Sequence, residues 1–200
     1  MARYQPRDSY YWRARDRGLP SRAAFKLDEL LARHRLVRPG ARVIDLGCAP
    51  GGWLAVLGAA VGSHGLVVGI DLSPTRAASP NVITLTGDLV DPAVRAEAVA
   101  RLGGQADLIT SDVSPKLTGI ADRDQARSAE LLNVALEFAH TALKPGGAMV
   151  AKAFMGAAFG EVAASFRRRF ASVELARPRA SRPGSAEIYL VATGFQPAPD

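Results

Sequence analysis

Residues 43–53 read VIDLGCAPGGW, a short apolar run followed at once by a glycine-rich turn. The run at 43–46 has the length and β-branched content of a buried strand, and an apolar helical segment begins after Gly52. A strand, a tight glycine turn and a helix in this order form the unit with which α/β sheets bind nucleotide-like ligands. The stretch therefore predicts an α/β fold with a cofactor site at Gly47, Gly51 and Gly52.

The alternation of strands and helices continues along the chain. Further apolar runs of strand length lie at 66–71, 82–86, 107–111, 148–154, 172–176 and 187–192. Helices are expected at 53–61, 92–102, 125–143 and 158–170, and another from a Ser21 cap to about residue 36, with Leu27, Leu30 and Leu31 on its inner face. The pattern predicts a mostly parallel sheet with helices on both faces.

Length and composition are those of one globular domain. The 200 residues, 48% of them hydrophobic, contain no internal repeat and no linker, so residues 1–200 are expected to form a single domain with a basic segment at 1–20 and a loose tail at 196–200. No membrane-length apolar run or signal peptide is present, which predicts a soluble cytoplasmic protein, and we expect a monomer. Cys48 is the only cysteine and the histidines are scattered, so no metal is expected.

Positive charge is concentrated in two stretches. Residues 1–42 carry eleven Arg or Lys against four Asp or Glu, whereas the rest of the chain is nearly balanced. A second group follows residue 166: Arg167, Arg168, Arg169, Arg177, Arg179 and Arg182. Such stretches are typical of proteins that bind nucleic acid. A general bias toward Arg, with the charges merely solvated, is the alternative that composition leaves open.

Three acidic residues follow successive strands, where α/β sheets bind ligands. The glycine spacing does not fit G-x-G-x-x-G, so a dinucleotide is disfavoured. Asp71 could accept hydrogen bonds from both hydroxyls of a ribose, Asp88 could accept one from an adenine amine, and Asp112 ends the next strand. A nucleoside cofactor without phosphates fits this set better than three turn-forming aspartates do. Trp53 is expected to pack beside that cofactor.

Lysine is rare in this chain, which directs attention to Lys26 and Lys152. The sequence has 21 Arg and four Lys. Lysine can release a proton, whereas arginine effectively cannot. Lys152 also lies within an apolar strand pattern, where burying a charge is costly unless it is paired. The alternative is that Lys152 reaches solvent at a strand edge with Glu187 as a surface partner.

Several motifs in one order resemble the FtsJ/RrmJ-type ribose 2′-O-methyltransferases. They are YYWRARDRGLPSRAAFKLDEL (10–30), VIDLGCAPGGW (43–53), GDLVDP (87–92), SDVSP (111–115), LKPGGAMVAKAF (143–154) and SRPGSAEIYLVATGF (181–195). The resemblance implies a Rossmann-like class I fold with a seven-stranded, mostly parallel sheet. It also implies S-adenosylmethionine as the methyl donor, contacted by Gly51, Trp53, Asp71, Asp88 and Asp112.

The resemblance further implies a Lys-Asp-Lys-Glu catalytic tetrad. Motif by motif, the tetrad falls on Lys26, Asp112, Lys152 and Glu187. Lys152 is the candidate general base for a ribose 2′-hydroxyl. Burial and the positive charge of Lys26 favour the neutral amine of Lys152, whereas Asp112 and Glu187 favour its ammonium form. If the ammonium form prevails, Lys152 would position the hydroxyl and Asp112 would steer it.

The expected substrate is ribosomal RNA. The resemblance implies a uridine in large-subunit (23S) RNA, presented on the large ribosomal subunit. Two alternatives stay open: the same reaction on a transfer RNA anticodon loop or an mRNA cap, and a non-catalytic RNA-binding assembly factor that keeps the fold.

Overall fold

The structure is a computed structural model that describes residues 23–115, 118–181 and 184–197. The predicted basic segment at 1–20, the Ser21 cap, Arg182 and the end of the tail at 198–200 lie outside these residues.

Strands and helices alternate as the sequence predicts. The strands are β1 (Arg42–Leu46), β2 (Leu66–Asp71), β3 (Val82–Thr86), β4 (Ala106–Ser111), β5 (Leu143–Phe154), β6 (Phe170–Ala176) and β7 (Glu187–Phe195). The helices are α1 (Ala23–His34), α2 (Gly52–Val61), α3 (Pro92–Leu102), α4 (Ala121–Ala142) and α5 (Phe159–Arg167).

Within the described residues, seven strands form one sheet in the order β3-β2-β1-β4-β5-β7-β6. All are parallel except β7, which runs antiparallel to both β5 and β6. We call the edge where β1 to β6 end the carboxyl edge, and the opposite edge the amino edge. The predicted mostly parallel seven-stranded sheet is confirmed, and β7 brings its first residue, Glu187, to the carboxyl edge.

Each face of the sheet is covered by its own helices. On one face α1 and α2 bury Leu27, Leu30 and Leu54 against the strands. On the other, α3, α4 and α5 bury a larger cluster that includes Phe138 and Phe166. The apolar stripe predicted for α1 is therefore confirmed, and the doubly covered sheet leaves its carboxyl edge for ligands.

The ends of α3 and α5 have local causes. α3 begins and ends as predicted because Asp91 caps it, accepting from the Ala93 N–H at 2.8 Å, and Gly103 adopts a left-handed conformation at its end. α5 stops at Arg167, three residues before the predicted end, because Phe170 already begins β6 and stacks on Phe166.

β5 begins at Leu143 and β7 continues to Phe195, so both are longer than predicted. Residues 144–147, KPGG, have the composition of a turn. The structure nevertheless includes them in β5, whose register against β4 shifts there. β7 extends because it pairs with a strand on each side, and Phe195 packs against Phe170. Pairing partners distant in sequence therefore set these two ends.

Candidate active site

The loop from Gly47 to Gly52, which we call the glycine loop, joins β1 to α2 at the carboxyl edge. Gly47 has φ +75°, and a Cβ there would lie 2.9 Å from the Val113 backbone, so only glycine fits. Gly51 has φ +100°. The Gly47 and Cys48 N–H groups both donate to the Ile70 carbonyl. The loop is thus fixed between the ends of β2 and β4.

Asp71, at the end of β2, holds the glycine loop in place. Its Oδ2 accepts from the Ala49 N–H at 2.9 Å and its Oδ1 from the Ser73 N–H at 2.8 Å. A carboxylate oxygen has two lone pairs, so each oxygen can still accept from a ligand hydroxyl. The geometry leaves room for the predicted ribose contact and adds a structural role that the sequence did not indicate.

Asp88 lies close to Asp71 on the same edge. The Gly87 N–H donates to the Asp71 carbonyl at 2.9 Å, which brings the end of β3 beside the end of β2. Asp88 is exposed, and its Oδ1 accepts from the Val90 N–H. Leu72 and Val90, which closely follow the two aspartates, are 70% and 52% exposed. Two carboxylates and two apolar side chains therefore border one accessible region.

Trp53 is buried between α1 and β7. Its indole N–H donates to the Ala23 carbonyl at 2.9 Å, and its ring lies 6.0 Å from the Tyr189 ring, centroid to centroid. The polar atom of the indole is thus already used by α1. Any contact of Trp53 with a ligand would involve the ring alone.

Lys152 and Asp112 form an ion pair at the carboxyl edge. Lys152 Nζ lies 3.0 Å from Asp112 Oδ1 and donates to the Asp112 backbone carbonyl at 2.9 Å. Only 9% of the Lys152 side chain is exposed. The pairing offsets the cost of burying an ammonium group, and it places the lysine head group beside the residue that follows β4.

Lys26 and Glu187 form a second ion pair, between α1 and the start of β7. The Lys26 ammonium donates to Glu187 Oε1, although the residues are 161 positions apart. Both side chains are largely buried. The four residues predicted for catalysis are therefore brought to one edge of the sheet as two pairs.

Tyr189 lies between the two ion pairs. It faces Lys152 across the β5–β7 ladder, its hydroxyl donates to Asp112 Oδ1 at 3.5 Å, and Lys26 Nζ lies 5.8 Å from its ring centroid. Burial, with the charges of Asp112 and Glu187, holds the pKa of Tyr189 well above its usual range. The phenol therefore stays neutral. Strand alternation puts residues 187 and 189 on one face, a signal that could have indicated it.

Asp45, in the middle of β1, is fully buried beneath the glycine loop. Its Oδ1 accepts from the Thr110 hydroxyl at 2.6 Å, and its Oδ2 has no partner among the described residues. Burial raises the pKa of Asp45 to about 8; the Thr110 hydrogen bond opposes this shift, and the charges of Asp112 and Asp71 add to it. The folded chain therefore favours the protonated form of this acid. Asp45 was not among the predicted site residues, because the run VIDL has the pattern of an apolar strand.

Cys48 is buried and fills the space under the glycine loop. A Cβ at Gly69 would lie 2.9 Å from its sulfur. Burial and the nearby Asp45 raise the pKa of the Cys48 thiol to about 12. The residue is therefore a packing group and not a nucleophile.

The second Arg-rich stretch is divided between the two edges of the sheet. Arg167 to Arg169 lie at the amino edge, just before β6, whereas Arg177 and Arg179 follow β6 at the carboxyl edge. Seven residues of strand separate the groups by roughly 20 Å. These arginines were predicted to form one basic group because they are close along the chain. Of the arginines in this stretch that the structure describes, only Arg177 and Arg179 share the edge of the candidate active site.

The described ranges contain no group of three or more His, Cys, Asp or Glu placed to hold a metal ion. None of the helices in the same ranges is long and apolar enough to cross a membrane.

A sequence model of the family described as FtsJ-like methyltransferase matches residues 19–195. The chain belongs to this family. A relative from Anaeromyxobacter sp. (strain Fw109-5), named ribosomal RNA large subunit methyltransferase E, is 44% identical over 98% of this chain and 71% of its own length. A relative of the same name from Methanoculleus marisnigri is 46% identical over 95% of this chain and 92% of its own length.

Among solved structures, the FtsJ-like methyltransferase fold seen here is similar to that of a Plasmodium falciparum protein described as a ribosomal RNA methyltransferase. The TM-score is 0.77 at 27% identity, over 88% of this chain and 97% of the other. The family implied by the sequence motifs and the Rossmann-like class I fold are both confirmed.

Proposed function

We propose that this FtsJ-like methyltransferase transfers a methyl group from S-adenosylmethionine to the ribose 2′-hydroxyl of a uridine in large-subunit ribosomal RNA. The observation that carries the proposal is the Lys152–Asp112 pair beside the glycine loop, because it puts a lysine head group next to a cofactor site. The relatives named ribosomal RNA large subunit methyltransferase E support the choice of RNA. We expect a cytoplasmic monomer of one domain.

The residues at the ends of β1, β2 and β3 fit a nucleoside cofactor without phosphates. The glycine loop contains no Lys or Arg to meet a phosphate, and the region beyond it is bordered by carboxylates. Asp71 would accept from the ribose hydroxyls and Asp88 from the adenine amine, with Leu72 and Val90 beside the base. The backbone of Gly47, Gly51 and Gly52, the ring of Trp53 and the Asp112 carboxylate would complete the site.

When bound, S-adenosylmethionine supplies a methyl group that is already activated on a sulfonium. The protein has to align the 2′-oxygen and remove its proton. To act as the base, the Lys152 ammonium must first release a proton to solvent, and the resulting amine has two N–H donors and one lone pair. The two donors match the Asp112 carboxylate and backbone carbonyl, both within about 3 Å, which leaves the lone pair for the hydroxyl proton. Lys152 is thus assigned as general base and Asp112 as the group that orients it.

Lys26, Glu187 and Tyr189 hold the other side of the site. The Lys26–Glu187 pair ties α1 to the start of β7. Tyr189, next along that strand face, contacts Asp112. We assign Lys26 and Glu187 to the alignment of the hydroxyl and of Lys152. Arg177 and Arg179, exposed on the same edge, are assigned to the RNA backbone.

The test is methyl transfer from labelled S-adenosylmethionine to purified large-subunit particles, with mapping of the modified nucleotide. One 2′-O-methyluridine in the large-subunit RNA is expected. Label on transfer RNA or capped mRNA instead would overturn the substrate assignment. Binding of the particle and the cofactor without transfer would indicate an assembly factor.

A further inference from the structure

The base of the target nucleotide must lie close to the end of β5. A nucleotide whose 2′-oxygen reaches Lys152 carries its base on the adjacent sugar carbon. Asp112 and the glycine loop lie on the β1 and β4 side of Lys152, and an in-line transfer requires the acceptor on the side opposite the donor. That side is formed by the end of β5 and the start of β7, and the turn before α5 continues from the end of β5.

Phe154 offers an aromatic ring on that side. It lies two residues after Lys152 on the same strand, so both side chains project from one face, and its ring centroid is 5.9 Å from Lys152 Nζ. Phe154 is half-buried, whereas Tyr189 and Trp53 are buried. Phe154 is therefore the one of these three rings with a face that a ligand can reach. Stacking on an aromatic side chain is the usual way in which a protein holds an unstacked RNA base.

A narrow cleft opens beside Phe154, between α4 and α5. It is lined by Gln125, Ser128 and Phe159 as well as by Phe154. Ser128 is 3% exposed, and its hydroxyl has no partner among the described residues. The enclosed part of the cleft has a volume of about 10 Å³, room for one water-sized group. The cleft is too small to hold a base, but Phe154 and Gln125 both line it, so a base stacked on Phe154 would lie near Gln125.

Gln125 places an amide at this cleft. The amide lies across Gly156, where a methyl group would collide with Gln125 Oε1. The half-buried amide makes no hydrogen bond with any residue that the structure describes. The amide oxygen can accept from the N3–H of uracil while one of the two amide N–H groups donates to the adjacent O4. An unpaired amide next to an accessible ring forms a recognition site for a pyrimidine base.

We infer that Phe154 and Gln125 bind the base of the target nucleotide, Phe154 by stacking on it and Gln125 by hydrogen bonds to its Watson–Crick edge. The inference rests on the proposed function, because it requires a nucleotide at Lys152. It makes the turn between β5 and α5 the element that determines which base is accepted.

The test compares variants on large-subunit particles assembled with ribosomal RNA that carries either the normal target nucleotide or an abasic ribose at that position. On the normal RNA, Phe154→Leu and Gln125→Ala should each lower kcat/KM roughly tenfold or more, while Phe154→Tyr keeps the wild-type rate. On the abasic RNA the wild type should be slow, and the two variants should show no further loss.

Gly156→Ala is a second test of the amide. The added methyl group displaces only the flexible end of Gln125, so it should lower kcat/KM as Gln125→Ala does, and the double variant should be no worse than either one. Glu137→Ala, a change at an exposed position on α4 several turns away from Gln125, should match the wild type. Cofactor affinity and the melting temperature should be unchanged throughout.

If the wild type methylates the normal RNA and Phe154→Leu and Gln125→Ala do so equally well, the inference is wrong. It is also wrong if their deficits persist on the abasic RNA, because the side chains would then act on the fold and not on the base. Absence of methylation by the wild type would instead contradict the proposed function, and the inference would fail with it.

Discussion

Lys152 Nζ lies 3.0 Å from Asp112 Oδ1 and donates to the backbone carbonyl of the same aspartate at 2.9 Å. The lysine head group is thus fixed at two points by one residue. Phe154 and Tyr189, on neighbouring strands, lie on the same face of the sheet as Lys152, and the Phe154 ring centroid is 5.9 Å from Lys152 Nζ. Restraint of this kind aligns a reacting group before the substrate arrives, and alignment contributes much of the rate of a reaction whose donor is already activated.

Asp71→Ala should weaken S-adenosylmethionine binding tenfold or more, because hydrogen bonds to a charged group are each worth about 1.5–3 kcal/mol. Titration calorimetry measures the effect. Asp71 also supports the glycine loop, so a loss of affinity alone does not separate ribose binding from loop structure. Comparing the affinity for S-adenosylhomocysteine with that for its 2′-deoxyribose counterpart separates the two roles. The wild type should prefer the hydroxylated ligand and the variant should not. Undiminished affinity in Asp71→Ala would refute the ribose assignment. Asp122→Ala, at an exposed position, is the control and should bind like the wild type.

Asp45 should make stability depend on pH. Its pKa is raised by burial from 3.8 to about 8 in the folded chain, so folding favours the protonated acid. The wild type should therefore lose stability relative to Asp45→Asn as the pH rises from about 4 to about 8, by at most about 1.4 kcal/mol per pH unit. Denaturant unfolding of both proteins across this range measures the difference. Parallel pH curves would mean that Asp45 is ionised in the folded state.

Arg177 and Arg179 should contribute to RNA affinity through phosphate contacts. Replacing both with Ser should reduce the slope of log affinity against log salt by about one unit per lost contact and leave cofactor affinity unchanged. Filter binding at several salt concentrations gives the slope. An unaltered slope would mean that these two arginines do not reach the RNA.

Replacing Arg167, Arg168 and Arg169 together tests the other edge of the sheet. These residues lie roughly 20 Å from the active-site edge, as estimated from the length of β6. The change should lower affinity and salt slope for the large-subunit particle, which can extend across both edges. A short RNA that spans only the target nucleotide should bind the variant and the wild type equally. A loss that is equal for both substrates would contradict this arrangement.

Much of the fold could be predicted because local signals agree with the tertiary structure. Asp91, Pro92 and Gly103 bound α3 through capping chemistry that can be read from the sequence. The strand-ending Asp71 could be placed at the carboxyl edge because parallel strands end together. Gly47 was identified through its position between a strand and a helix.

Other features depend on pairings that the sequence does not specify. The Lys26–Glu187 pair joins residues 161 positions apart, and its place followed from the family resemblance alone. Tyr189 contacts Asp112 because β7 pairs with β5 in one particular register. Asp45 looked like part of an apolar strand because its burial depends on the strands on either side of it.

In the proposed reaction, Lys152 removes the proton of the 2′-hydroxyl, which requires an amine and not only a positive charge. Lys152→Arg keeps the positive charge and removes the accessible neutral state. We predict that it folds and binds S-adenosylmethionine like the wild type but methylates at least about a hundredfold more slowly in single turnover, with Lys152→Ala similarly inactive. Single-turnover methylation of the particle as a function of pH is the decisive measurement. Near-normal turnover of Lys152→Arg with an unchanged pH profile would contradict proton removal by this residue. The mechanism would then be alignment of the hydroxyl by Asp112, with loss of its proton to water.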